Sequence, residues 1–270
     1  MSAVKAVVFD WAGTIVDFGS RAPMGAFVEV FRSFGVPLTI AEARGPMGLP
    51  KWQHIEALMQ LPQVAQAWKA SHGHLPGNAD IDKVYEVFTP LNAKIVADFG
   101  ALIPGAGETV AALRQRGLKI GSTTGYTREI MQPLLPVAAK QGYAPDNLVC
   151  AGDLAEGRPG PLMMYRCFAD LGVYPPAAVV KVDDTEPGIA EGKASGTWTV
   201  GVALSGNAVG LSLEEWSALS AEARKPYADA AYATLRASGA DYVIDSVADF
   251  LPVLDEINRR LAAGETPSQK

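Results

Sequence analysis

Six short apolar runs, several rich in β-branched residues, recur along the chain at residues 4–9, 118–122, 148–150, 178–182, 197–202 and 242–244. Runs without apolar–polar alternation read as strands buried on both faces. Helical patterns fill the intervals at 108–116, 128–140, 162–171 and 187–195, and Pro133 with Pro136 predicts a kinked or broken second member. Strand–helix alternation of this kind requires a parallel sheet with right-handed crossovers. The expected fold is therefore α/β, a doubly wound, Rossmann-like core. Ligands of such sheets collect at the C-terminal strand ends, so the residues just after each run are the ones to read for chemistry.

Residues 21–100 break the alternation. They hold helical patterns at 26–34, 52–59, 64–69 and 82–97 and no convincing strand, too much helix for one crossover. The expected organisation is a core of residues 1–20 and 101–270 with an all-helical cap domain, 21–100, inserted after the first strand. A last amphipathic helix is expected at 247–262 and a frayed tail at 264–270. With 49% hydrophobic residues in 270, the chain has enough apolar material for a large core. A net charge of −6 with no basic block argues against a nucleic-acid or anionic-membrane surface. No uncharged apolar run approaches the ~18 residues of a membrane span. Lys5 and Asp10 interrupt the N-terminal apolar stretch, which excludes a signal peptide there. A soluble, cytoplasmic protein is expected. Cys150 and Cys167 fit neither a disulfide framework nor a zinc motif and read as buried thiols.

Four strand-end or loop motifs carry polar chemistry. The first run ends Phe9-Asp10-Trp11-Ala12-Gly13-Thr14, placing a carboxylate at the sheet edge and a glycine where the backbone must turn. The second ends Ser122-Thr123-Thr124-Gly125-Tyr126, hydroxyls and free N–H groups at a helix start, suited to an anion or to simple capping. Arg158, held in Gly157-Arg158-Pro159-Gly160, reads either as a fixed phosphate fork or as a surface cation. The fourth run ends Val182-Asp183-Asp184-Thr185. Two adjacent acids there must be solvated, paired or bound to a metal, and hard oxygen ligands favour Mg²⁺.

This order of motifs, with a helical insertion after the first, resembles the haloacid dehalogenase superfamily over nearly the whole chain. Its phosphatases carry a second aspartate two residues after the nucleophile as general acid and base. Here that residue is Ala12. The insertion offers another device in Gly45-Pro46-Met47-Gly48-Leu49-Pro50-Lys51-Trp52-Gln53-His54. Pro50 suits the first turn of a helix and places Lys51 at its positive end, where a helix N-terminus and partial burial both favour the neutral, nucleophilic amine. His54, three residues on, shares that helical face.

Asp-Trp-Ala-Gly-Thr together with Met-Gly-x-x-Lys-x-x-x-Ile resembles the phosphonoacetaldehyde hydrolase (phosphonatase) family. The resemblance implies hydrolysis of the P–C bond of phosphonoacetaldehyde to acetaldehyde and phosphate, through a lysine Schiff base and an aspartyl phosphate. It implies Asp10 as nucleophile, Lys51 as imine former and His54, within reach for proton transfer, as a further catalytic residue. Asp10, the Ala12 carbonyl and Asp184 match Mg²⁺ ligands, with Asp183 as a further ligand or a neighbour of the ligands. Thr124, Gly125 and Arg158 match the phosphoryl cradle, and Met47, His54 and Tyr126 line the pocket. A homodimer through the cap is implied as well. A carbon leaving group delocalised into an imine needs no proton on oxygen, which accounts for Ala12. One departure from the wider superfamily stands out: its members often carry a further Asp at the position of Gly188, and Asp183 is placed to supply that charge instead. Two other readings stay open, a phosphatase or phosphomutase acting on a small phosphate ester and a catalytically dead phosphate- or partner-binding paralogue.

Overall fold

The computed structural model describes residues 4–268. Six parallel strands form one sheet: β1 (Ala6–Phe9), β2 (Lys119–Thr124), β3 (Val149–Cys150), β4 (Val179–Asp183), β5 (Trp198–Val202) and β6 (Tyr242–Ile244), in the order β3-β2-β1-β4-β5-β6. The apolar runs predict these six strands. Every residue of β1, β4 and β5 is buried, as the lack of alternation requires. Alternate residues of β1 feed opposite cores. Val7 and Phe9 join the larger cluster, whereas Ala6 and Val8 pack with Met163, Met164 and Cys167. The chain builds outward from β1 to β3 and then returns to the other side of β1 for β4. That makes β1/β4 the switch point, where a crevice opens at the carboxyl ends. Register aligns Phe9 with Ser122 and with Val182, so Asp10, Thr123 and Asp183 lie side by side at the carboxyl edge of the sheet.

Between β1 and β2 lie α1 (Ala22–Ser33), α2 (Ile40–Arg44), α3 (Lys51–Met59), α4 (Pro62–His72) and α5 (Asn78–Ile95), with no strand among them. Phe27 of α1 stacks on Phe88 of α5 at 4.2 Å and on His54 of α3 at 4.1 Å, joining three of these helices through one aromatic column. The short α2 was not anticipated. It starts with a capping box, Thr39 with Glu42, a signal present in the sequence but attached to only five residues.

The remaining helices are α6 (Ala106–Gln115), α7 (Arg128–Lys140), α8 (Leu162–Leu171), α9 (Glu186–Ala194), α10 (Leu213–Ala218), α11 (Ala221–Ala237) and α12 (Phe250–Ala262). Phe250 of α12 meets Phe9 edge to face at 6.0 Å. Of the expected kink or break at Pro133 and Pro136 there is no break: α7 runs through both prolines as one element. The carbonyls that lose their N–H partners belong to Glu129 and Gln132, both exposed, so neither residue is sealed from solvent. The tail is pinned rather than frayed as far as Ser268, whose N–H donates to Asp241 Oδ1 at 3.0 Å; residues 269 and 270 lie outside the described residues. Among the described residues, no helix is long and apolar enough to cross a membrane.

Candidate active site

Asp10 leaves β1 with its N–H donating to the Val182 carbonyl at 3.0 Å, which ties the strand end to β4. The chain then turns at Gly13 (φ +86°). A side chain there would run into the Asp184 carboxylate, so the glycine is required both by conformation and by room. Asp184 is held by Thr14 Oγ1, donating to Oδ1 at 3.3 Å, and by the Asn207 N–H, donating to Oδ2 at 2.7 Å. One carboxylate oxygen each from Asp10, Asp183 and Asp184 fall within 4.8 Å of one another, and all three residues are buried.

Two buried cations answer these acids. Arg158 Nη2 lies 2.8 Å from Asp10 and 3.2 Å from Asp183, and its Nε lies 3.1 Å from Glu191. Lys181, inside β4, reaches Asp183 at 3.0 Å and Glu191 at 3.1 Å. Thr123 Oγ1 joins the two cations, accepting from Lys181 Nζ at 2.7 Å and from Arg158 Nη2 at 3.0 Å, and donates to Glu191 at 2.8 Å. Asp183 also accepts from the N–H and hydroxyl of Thr185 at 3.0 and 2.7 Å, so both of its oxygens are engaged.

Electrostatics divide the three aspartates. Burial and the neighbouring Asp183 raise the Asp10 carboxyl to about 6 despite Arg158. Burial, Asp10 and Asp183 raise Asp184 well above the ordinary carboxylate range. Burial also works against ionised Asp183, but Arg158 and Lys181 outweigh it and hold its pKa down. Arg158 and Lys181 pair with Asp10, Asp183 and Glu191, while Lys51 and Arg44 act on Asp184 from further off. At Asp10 and Asp184, burial and the neighbouring carboxylates outweigh this positive charge, a deficit that raises both. A divalent cation between Asp10 and Asp184 would remove that deficit, and the residues fit an oxygen-ligand site.

The insertion closes this crevice from above. A cavity of about 20 Å³ is lined by Asp10, Ala12, Lys51, Gly125 and Arg158 among others, and by Met47, Thr124 and Tyr126. Lys51, 2% exposed at the start of α3, directs its amine to Met47 Sδ at 3.8 Å. The Tyr126 and Phe27 rings lie 5.2 and 5.7 Å from that amine. Burial lowers its pKa to about 7, with Asp10 opposing. Pro50 is the cap of α3 rather than its first helical residue, which leaves Lys51 at the helix start as expected. His54 does not border the cavity. Its Nε2 lies 2.8 Å from the Ala43 carbonyl and its ring stacks on Phe27; burial and then Lys51 push it well below its usual pKa, so it is neutral.

The model for haloacid dehalogenase-like hydrolases matches residues 4–196. A phosphonoacetaldehyde hydrolase of Paraburkholderia xenovorans (strain LB400) is 57% identical over 267 residues, covering 99% of this chain and 100% of that protein. One from Klebsiella pneumoniae is 51% identical over 269 residues, covering 99% and 100%. The chain belongs to this hydrolase family. A crystal structure of a phosphonoacetaldehyde hydrolase-like protein from Oleispira antarctica aligns with a TM-score of 0.97 at 45% identity, covering 98% of this chain and 96% of that one. The β-phosphoglucomutase of Clostridium difficile, at 14% identity and a TM-score of 0.71, shares the fold.

Of the residues read from the hydrolase's sequence, Asp10, Ala12, Met47, Lys51, Thr124, Gly125, Tyr126 and Arg158 meet around one cavity. Asp183 and Asp184 adjoin it through the carboxylate cluster, and His54 lies apart. Sequence reading missed Lys181, Glu191, Thr123 and Asn207. Lys181 left one visible sign, a lysine inside an otherwise apolar buried strand. At Gly188, where the wider superfamily often carries an acid, a side chain would overlap the Asp183 carboxylate, so Asp183 occupies the space that an acid at 188 would need.

Proposed function

We propose that this enzyme cleaves the P–C bond of phosphonoacetaldehyde, releasing acetaldehyde and phosphate. Residues 1–20 and 101–270 act as the catalytic core and 21–100 as a cap that opens and closes. The observation carrying this reading is Lys51, a buried amine lying against a thioether and two aromatic rings in the same cavity as Asp10, with Ala12 where an ester phosphatase needs its acid. With its pKa lowered to about 7, a large share of Lys51 is the free amine near neutral pH.

The amine adds to the aldehyde carbon and a water leaves, giving the protonated imine of Lys51. An Asp10 carboxylate oxygen attacks phosphorus as the P–C bond breaks. The P–C electron pair moves into the C–C bond and onto the imine nitrogen, forming an enamine. The enamine takes a proton on carbon, and water then hydrolyses the imine to acetaldehyde and free Lys51. A second water hydrolyses the aspartyl phosphate and restores Asp10. Arg158, Thr124 and the Gly125 N–H orient the phosphonyl oxygens. Met47 and Tyr126 keep the imine dry. His54, neutral and packed behind Lys51, supports α3. Asp10, Asp184 and the Ala12 carbonyl hold Mg²⁺, which when bound screens the phosphonate charge from the attacking carboxylate. Asp183, engaged by Lys181, Arg158 and Thr185, orients the site from outside the ligand set. A cytoplasmic homodimer through the cap completes the proposal, supported by the family resemblance.

Borohydride added with phosphonoacetaldehyde should fix a reduced adduct on Lys51 and on no other lysine, read by peptide mapping. Lys51→Arg keeps the charge but forms no imine, and should abolish P–C cleavage while phosphate still binds. Adducts spread over many lysines, or an active Lys51→Arg enzyme, would overturn the reading.

A further inference from the structure

One cation joins the insertion to the core through neutral acceptors. Arg44, at the end of α2, donates to the carbonyl of Gly19 at 2.8 Å, to the carbonyl and side-chain oxygen of Asn207 at 3.0 Å each, and to the carbonyl of Gly210 at 3.2 Å. Asn207 Nδ2 returns a bond to the Arg44 carbonyl at 3.4 Å. The seat is shaped for a guanidinium. Gly210 has φ +69°, and a Cβ there would lie 2.5 Å from Arg44 Cζ and 2.7 Å from its Nε. Gly19 belongs to the linker through which the chain enters α1.

The same core segment holds Asp184. The Asn207 N–H donates to Asp184 Oδ2 at 2.7 Å, and a Cβ at Gly206 would meet Asp184 Cβ at 2.6 Å. Residues 206–210 are thus gripped by the insertion on one side and fix a metal-cluster carboxylate on the other. Arg44 also precedes Met47 and Lys51 by three and seven residues, so the group that grips the core lies on the stretch that covers Asp10.

We propose that Arg44 is a positioning residue for the reaction. Through Asn207 it couples seating of the insertion to the placement of Asp184, so the carboxylate is set when Lys51 covers Asp10. This rests on the proposed reading of Asp184 as a metal ligand and of residues 21–100 as a mobile cap. Breaking the grip lowers the fraction of enzyme in the competent form, which raises apparent dissociation constants in proportion.

The test compares the full-length wild type with Arg44→Met, Arg44→Lys, Gly210→Ala and the Arg44→Met/Gly210→Ala double variant. The readouts are Mg²⁺ titration calorimetry without substrate, amide exchange at Asn207, and kcat and KM separately. Arg44→Met should raise KM and the Mg²⁺ dissociation constant about tenfold, with kcat changed less, and speed Asn207 exchange by a similar factor. Arg44→Lys should restore part of each effect. The double variant should be no worse than the poorer single one, because both remove one contact. Unchanged exchange and Mg²⁺ affinity in Arg44→Met, or losses that multiply in the double variant, would overturn the coupling. If Arg44→Met does not fold, Arg44→Lys and Gly210→Ala decide on the same readouts. A wild type that takes up no Mg²⁺ overturns the assignment of Asp184 as ligand, while the exchange comparison still decides the grip.

Discussion

Lys51 shows how far a single buried group departs from its solution chemistry. Its lowered pKa comes first from burial, and the Asp10 charge that opposes the shift does not cancel it. The sign of the linkage follows. The unfolded lysine keeps its proton up to about 10.5 and the folded one only to about 7, so the burden on stability is complete below 7 and fades as pH rises toward 10.5. Lys51→Met should therefore unfold at a higher temperature than wild type at pH 6, with the gap narrowing by pH 9. The ceiling is roughly 4–5 kcal/mol at ~1.4 kcal/mol per pKa unit. Thermal melts across that range check it. Lys51 and Asp10 were legible in the sequence because each stands at a place of known consequence, a helix start behind proline and a strand end. Lys181 and Glu191 were not. Taken singly they read as a strand lysine and a helix glutamate, and only the sheet brings them to 3.1 Å.

At the scale of elements, the strands were predicted best and α11 was missed altogether. This helix of 17 residues buries only Ala231 and Leu235, so its apolar stripe is too thin for periodicity to reveal. At α7 two prolines suggested a kink or a break, and the buried Ile130, Met131, Leu134 and Ala138 hold it as one unbroken helix. Pro136 stands on the exposed side of that helix. Pro136→Ala supplies an N–H for the Gln132 carbonyl and relieves the ring clash, against a gain in unfolded-chain entropy of about 1 kcal/mol. A net stabilisation of about 1–2 kcal/mol is expected by urea denaturation, with turnover unchanged.

For the whole molecule, the alternation of runs reads as a core with an insertion but is silent on how tightly α1–α5 meet the sheet. Their contact is built on glycines. A Cβ at Gly48 would strike Thr185, and one at Gly125 would lie 2.9 Å from the Leu49 carbonyl and 3.2 Å from that of Gly48. Gly125→Ala should leave the sheet intact and hold the insertion off the core. Turnover should fall at least tenfold, about 1.4 kcal/mol of barrier, with the melting temperature lowered by only a few degrees. Steady-state kinetics beside a thermal melt separate this from simple misfolding. The cavity of about 20 Å³ is small beside a substrate, which is what the proposed opening of the cap would relieve.

A side chain at 188 would overlap the Asp183 carboxylate where it now stands. An acid added at 188 in this chain could enter only by displacing that carboxylate, and with it the ion pairs that Asp183 makes to Lys181 and Arg158.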